Sequence, residues 1–192
     1  MRHVYLLSPA STGGLRTAML VNPQAEFDLA VRLRSGQASV GEVFAFLSGL
    51  YFRGKLAYAT TYGEALVITA GRGLLPAEAT ITAATLAAMA QVPIDEREPR
   101  YTAPLRRDLR RLVRRLRPCD CVVLLGSIAT SKYVQPLSAE LGERLHVPAE
   151  FAGRGDMSRG GLMLRCVRGG ERLTYVPLRD AARHGPRPPK LK

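Results

Sequence analysis

The 192-residue chain has three cysteines, three histidines and 16 acidic residues, and it is poor in long apolar runs. Each shortage excludes something. Cys119, Cys121 and Cys166 are an odd number, and Cys119-Asp120-Cys121 lacks the two-residue spacer of zinc and redox pairs. His3, His146 and His184 lie far from those thiols in sequence. Neither a metal site nor a cofactor is expected, and the thiols are read as reduced in a cytoplasmic protein. The longest apolar runs, Ala65–Ala70 and Cys121–Leu125, are far too short to span a bilayer, so no membrane partner is expected. The hydrophobic stretch within Met1–Pro9 is shorter than a signal-peptide core, and no secretion signal is read there. No internal repeat is visible.

Positive charge is plentiful. Lys and Arg number 28, which gives a formal net charge of +12 and favours a polyanionic partner, DNA or RNA. A solvated basic surface is the plainer reading of the same excess. Hydrophobic residues at 46% and charged residues at 23% are an ordinary globular balance, and the length suits one domain. We read residues 1–178 as a single α/β domain and 179–192 as a flexible basic tail, in which the apolar pattern is lost.

Strand and helix signals alternate along that domain, as in a mixed, largely parallel sheet flanked by helices. His3–Leu7, Leu66–Thr69, Cys121–Leu125 and Leu145–Val147 read as strands. Asn22-Pro23 reads as the start of a helix through Arg34, with Gly36 as its stop. Ser39-Val40-Gly41-Glu42 fits a capping box ahead of an apolar stripe at Val43, Phe46, Leu47 and Leu50. Phe44, Tyr51, Phe52 and Tyr58 sit among Arg53 and Lys55; aromatics interleaved with cations can stack bases, but helical aromatics belong more often to the core. Leu75-Pro76 extends a loop, a helix covers Thr82–Met89, and Val92–Tyr101 reads as a proline-broken surface connection. Pro104 opens a helix with Leu105, Leu109, Leu112, Val113 and Leu116 on one face. Arg106, Arg107, Arg110, Arg111, Arg114, Arg115 and Arg117 fill the rest, offset locally by Asp108 alone; they are candidate nucleic-acid contacts or simply a solvated face. Tyr133–Leu141 reads as a helix stopped by Gly142, and Phe151–Gly161 as a glycine-rich loop. Leu162–Val167 and Arg172–Val176, joined across Gly169-Gly170, predict a C-terminal β-hairpin.

Ligands of open α/β sheets bind beyond the carboxyl ends of the parallel strands. Small and polar residues follow each predicted strand, and the candidate ligand- and phosphate-binding set is Ser8, Arg72, Gly73, Gly126, Ser127, Lys132, Arg154 and Arg159. Gly126–Tyr133 has the strand before and helix after of a P-loop. Ser131 stands in place of its second glycine and Tyr133 in place of its magnesium-holding hydroxyl, so simple anion binding at a helix start fits better than triphosphate hydrolysis. In Gly153–Gly161, arginines offer planar forks to phosphate, and Asp156 can orient an arginine or act as a base. Asp156 is thus the candidate catalytic residue. An ordinary surface loop with an Asp–Arg pair explains the same residues.

Three segments carry a resemblance. Leu6-Leu7-Ser8-Pro9-Ala10-Ser11-Thr12 is similar to the I-S-P-A-K-T opening of the YaaA family of bacterial peroxide-stress proteins. Ile68–Pro76 resembles the family's L-S-G-L-Y-G-x-L-x-P segment, and Arg154–Arg159 its A-R-G-x-M-S-R motif. Ser11 replaces the family's Lys and Arg72 its Tyr. The resemblance implies a compact mixed α/β fold, DNA binding with a role in limiting oxidative damage, and a shared site faced by Ser8, Gly73, Arg154 and Arg159. A lesser likeness, in the Gly-Leu-x-Pro turn and the strand after it, runs to the glycosylase-like domain of archaeosine synthase. Two functions therefore stand at this point: a nucleic-acid-binding protein of YaaA type, and an enzyme acting on a nucleotide or nucleobase at the sheet edge.

Overall fold

The computed structural model describes residues 2–182 and 185. Most of the predicted basic tail, 183, 184 and 186–192, lies outside the described residues. In chain order the elements are β1 (His3–Leu7), α1 (Leu15–Val21), α2 (Asp28–Arg34), β2 (Ala38–Ser39), α3 (Val40–Ser48), α4 (Leu50–Tyr62), β3 (Glu64–Thr69), β4 (Gly73–Pro76), β5 (Thr80–Ile81), α5 (Ala83–Ala90), α6 (Pro99–Arg115), β6 (Cys121–Leu125), α7 (Ser131–Leu141), β7 (Leu145–Pro148), α8 (Asp156–Gly169) and β8 (Tyr175–Pro177).

The fold is mixed α/β, with a largely parallel sheet covered by helices on both faces. Six strands lie in the order β4-β3-β1-β6-β7-β8. β1, β3, β6 and β7 are parallel, and β4 and β8 close the two edges antiparallel. The central strands are near-continuous apolar runs because both their faces are buried. Tyr5, Leu7, Val123 and Leu125 point into one core with residues of α3, α4 and α8, while Val4, Leu6, Val122 and Leu124 point into another with α6 and α7. The chain leaves β1 toward β3 on one side and later adds β6 on the other. The order therefore reverses between β1 and β6, and open α/β sheets hold their ligands at such a point.

Two devices aim side chains at this crevice. The predicted capping box forms: Ser39 accepts from the Glu42 amide and Glu42 from the Ser39 amide. Gly49, at φ +63°, then ends α3 and starts α4 at a new angle. α4 and α8 cross where Gly54 faces Gly160, and a Cβ on Gly160 would lie 2.7 Å from the Leu50 carbonyl oxygen and 2.8 Å from Tyr51 Cα. No larger residue fits there without a shift.

Several expectations are corrected. The predicted C-terminal hairpin is absent: residues 156–169 form α8, and β8 pairs with β7 instead. Met163 and Cys166 recur at helical spacing on its buried face, and Gly170, at φ +69°, is the helix stop rather than a hairpin turn. The second half of the glycine-rich "loop" is thus the first turns of α8. Asn22-Pro23 does not open a helix. The Asn22 side chain accepts from the Gln24 amide, a local turn between α1 and α2. Pro99, not Pro104, opens the arginine-rich helix, capped by Glu98, which buries Tyr101 and Thr102 in the supposed surface connection. Leu75-Pro76 belongs to β4, not to a loop. Beyond residue 178 the described chain continues as a short 3-10 turn, where Arg179 pairs with Glu143 and Asp180.

Candidate active site at the carboxyl edge of the sheet

The crevice between β1 and β6 is marked by Ser8 and Gly126, the residues just past the two strands. The Ser8 amide donates to the Leu125 carbonyl at 3.3 Å, and a Cβ on Gly126 would lie 2.9 Å from Ser8 Cβ. Glycine at 126 thus leaves room for the serine side chain. A cleft of about 440 Å3 opens beside it, lined by Pro9–Gly13, Phe44, Ala70, Val92, Lys132 and Tyr133 among others. On the β7 side a much smaller cavity, about 20 Å3, touches Gly126, Phe151 and Arg159.

Beneath Ser8 lies a residue outside the set expected from sequence. Lys55 of α4 is 1% exposed. Its Nζ donates to the Ser8 carbonyl at 2.6 Å and stands 2.9 Å from Ser8 Oγ. The Tyr51 and Phe52 rings lie 4.4 and 4.7 Å from it, and no carboxylate of the described residues is within ion-pair distance. Burial draws the Lys55 ammonium down from 10.5 to about 7, against the opposing pull of Asp156. An amine that is half neutral near pH 7 can accept a proton as well as donate one.

Tyr51 is buried beside Lys55, and Arg159 is the charged side chain that faces its hydroxyl. Burial pushes this phenol up to about 12, with Arg159 as a favourable charged neighbour. Tyr133, at the start of α7, is also pushed up to about 12 by burial, with Tyr51 and Asp156 adding to the rise. Both phenols therefore stay neutral donors at physiological pH.

The other predicted site residues divide. Lys132 lines the cleft and lies 5.1 Å from the Tyr133 ring. Ser127 turns inward on its own loop and accepts from the Ala129 amide. Arg159 is held by the Phe151 carbonyl through Nε and Nη2, packs over the Phe151 ring, and sits 3.7 Å from Asp156 across one turn of α8. Arg154 is tied to the Glu150 carbonyl and Ser158 Oγ. Asp156, at the first position of α8, is two-thirds exposed but within electrostatic reach of Lys55 and Tyr51. Arg72 is exposed in the β3–β4 turn, one strand away from β1. Gly73 serves packing: at φ +71° it lets β4 approach α6, where the Leu74 amide donates to Asp108.

The α6 arginines are less free than their sequence suggests. Arg107 and Arg111 pair with Asp108, Arg110 pairs with Glu140 of α7, and Arg115 pairs with Glu64 of β3. Glu64 also holds Arg2. Glu64 and Glu140 are remote in sequence, so local charge counting missed them. Arg106 and Arg114 make no ion pair with a described residue, and the Arg117 amide donates to Asp120.

A signal for Lys55 did exist. Tyr51, Phe52, Lys55, Tyr58 and Ala59 follow helical spacing and are all buried, so the lysine falls on the apolar stripe, where a cation is exceptional. The aromatics themselves are core, as the plainer reading held.

No family model matches the chain, and neither do the curated proteins or the solved structures.

Proposed function

We propose that the crevice between β1 and β6 binds a phosphorylated nucleoside, either free or at the end of a nucleic-acid strand. The observation that carries this reading is the buried Lys55 on Ser8 at the point where the strand order reverses. Burying an ionisable amine without a carboxylate is costly, and such groups cluster at functional sites. Lys132 supplies a cation at the rim, Tyr133 an aromatic face, and the buried Tyr51 hydroxyl a neutral donor. α7 and α8 both follow strands of this edge, and neither has a side-chain cap at its N-terminus, so their first amides are free to meet an anion. The segments similar to YaaA proteins supply the nucleic-acid side of the reading, including protection of DNA under oxidative stress. The likeness to archaeosine synthase supplies nucleobase chemistry as its enzymatic form.

Calorimetric titration with nucleoside monophosphates and with a short 5′-phosphorylated oligonucleotide tests this. Binding of both, weakened about tenfold in Lys132→Ala, is the expected result. Binding of neither at low salt overturns the reading.

A second reading has its own observation: Arg106 and Arg114 on α6 without ion pairs among the described residues, in a chain of net charge +12. It makes α6 a weak electrostatic track for DNA or RNA, whose affinity falls steeply with salt.

A further inference from the structure

Ser8 and Lys55 have a relation that phosphate binding does not require. The Nζ already donates to the Ser8 carbonyl at 2.6 Å, which fixes its position, and the aromatic rings of Tyr51 and Phe52 wall it in. Ser8 Oγ has two neighbours: Nζ at 2.9 Å and the Leu125 carbonyl at 3.4 Å. With Lys55 charged, the ammonium donates to Oγ and the hydroxyl proton turns to Leu125. With Lys55 neutral, its lone pair is the nearer acceptor for that proton. A hydroxyl 2.9 Å from a positioned base, with the base held by a third group, has the geometry of an activated nucleophile.

We infer that Ser8 is a nucleophile and Lys55 its general base, acting on a carboxylic ester or amide carried by an anionic molecule. Ser8 Oγ forms a bond to the carbonyl carbon while its proton passes to Nζ, and the carbonyl π electrons move onto oxygen. When they return, the bond from carbon to the leaving alkoxide or amine breaks, and the leaving group takes the proton from Nζ. Water then attacks the acyl carbon, gives its proton to Nζ, and releases Ser8 Oγ, which recovers that proton. The steps balance with water as the only co-reactant.

The choice of a carbonyl over a phosphoryl centre follows from charge. A phosphoryl dianion brought beside Nζ would favour the ammonium, since an opposite charge within a few ångströms stabilises the charged form, and so would remove the base. An uncharged carbonyl leaves the amine neutral. The anionic half of the substrate would lie outward, toward Lys132; that part rests on the binding reading above, and the acyl step does not. Ser8 is 5% exposed and packs against Gly126; the larger cleft begins at Pro9, the next residue along the chain, and the smaller cavity touches Gly126.

The groups that face the pair are Tyr51 from α4, Tyr133 from α7, and Asp156 and Arg159 from α8. Burial pushes both tyrosines up to about 12, so they stay neutral across the window in which Lys55 changes charge.

The test is labelling with a small uncharged alkyl fluorophosphonate, in which Oγ bonds to phosphorus and fluoride leaves, mapped by peptide mass spectrometry. The expected result is a single adduct on Ser8, absent from Ser8→Ala, whose rate rises several-fold between pH 6 and 8. In Lys55→Met, checked for folding by circular dichroism, the rate should fall about a hundredfold or more, as for loss of a general base. If Lys55→Met does not fold, the wild-type pH profile alone decides. No adduct on Ser8, a rate flat between pH 6 and 8, or undiminished labelling of folded Lys55→Met overturns the assignment. Because the probe carries no anion, a failed nucleotide titration leaves this result independent, and the converse also holds.

Discussion

Helix α6 and the carboxyl edge of the sheet hold positive charge in opposite ways. Seven arginines crowd 106–117, yet four of them are matched by Asp108, Glu140 and Glu64 at the surface, where each pair stabilises little. At the edge one lysine is buried with no carboxylate among the described residues within ion-pair distance. Many solvated charges set a long-range field that salt screens. One desolvated amine sets local chemistry that salt scarcely touches. Counting charges finds the first, whereas the second shows in the position of Lys55 on the apolar stripe of α4 and in the packing of α4 against β1.

The largest effect expected from this contrast lies in stability against pH. Lys55 has a folded-state value of about 7 against 10.5 unfolded, so the unfolded chain binds more protons here between those values. The penalty is full below about pH 7 and fades as pH rises toward 10.5. In urea unfolding, the stability of wild type relative to Lys55→Met should therefore climb across that window, by on the order of 5 kcal/mol at full extent. A pH-independent difference would mean that the lysine is not desolvated as described. The comparison removes other groups that titrate there, such as Cys121, which burial pushes up to about 11.

Gly160→Ala attacks the scaffold that holds Lys55 in place. The added methyl meets backbone of Leu50 and Tyr51, and overpacking of this kind should cost about 2 kcal/mol by chemical denaturation. A neutral outcome would show that α4 and α8 separate easily, and that the lysine is not rigidly aimed.

On α6 the effects are smaller and of a different kind. If Arg106, Arg114 and Arg117 meet phosphates, replacing all three with Gln should flatten the slope of log K against log salt for DNA by about 3. Fluorescence anisotropy at several salt concentrations measures it, and an unchanged slope would remove α6 from the interface. The smallest effect is expected for Arg110→Gln, which breaks the exposed pair with Glu140. Its unfolding midpoint should shift by less than about 1 kcal/mol equivalent, and the shift should shrink in 1 M salt.

The same contrast explains which parts of the molecule were legible. The strands were readable because Cys121–Leu125 and its neighbours are buried on both faces, and the α3 capping box because its chemistry is local to Ser39 and Glu42. α8 was misread because four glycines in 153–161 look like a loop; only the crossing with α4 shows that Gly160 is there for close approach. The Ser8–Gly126 crevice followed from the rule that ligands gather past parallel strands. For Lys55 the helical spacing marks a buried cation, but its partner lies 47 residues away and the sequence does not show the contact. The pairing of the α6 arginines was hidden for the same reason.

The proposed functional centre is the β1–β6 crevice rather than α6. The most direct measurement is a nitrogen–proton NMR titration of the labelled protein with a nucleoside monophosphate at fixed, moderate salt. The amides of Ser8, Gly126, Ser127 and Tyr133 should shift in a saturable way, while those of residues 106–117 stay still. Shifts confined to residues 106–117, with the crevice silent, would contradict it.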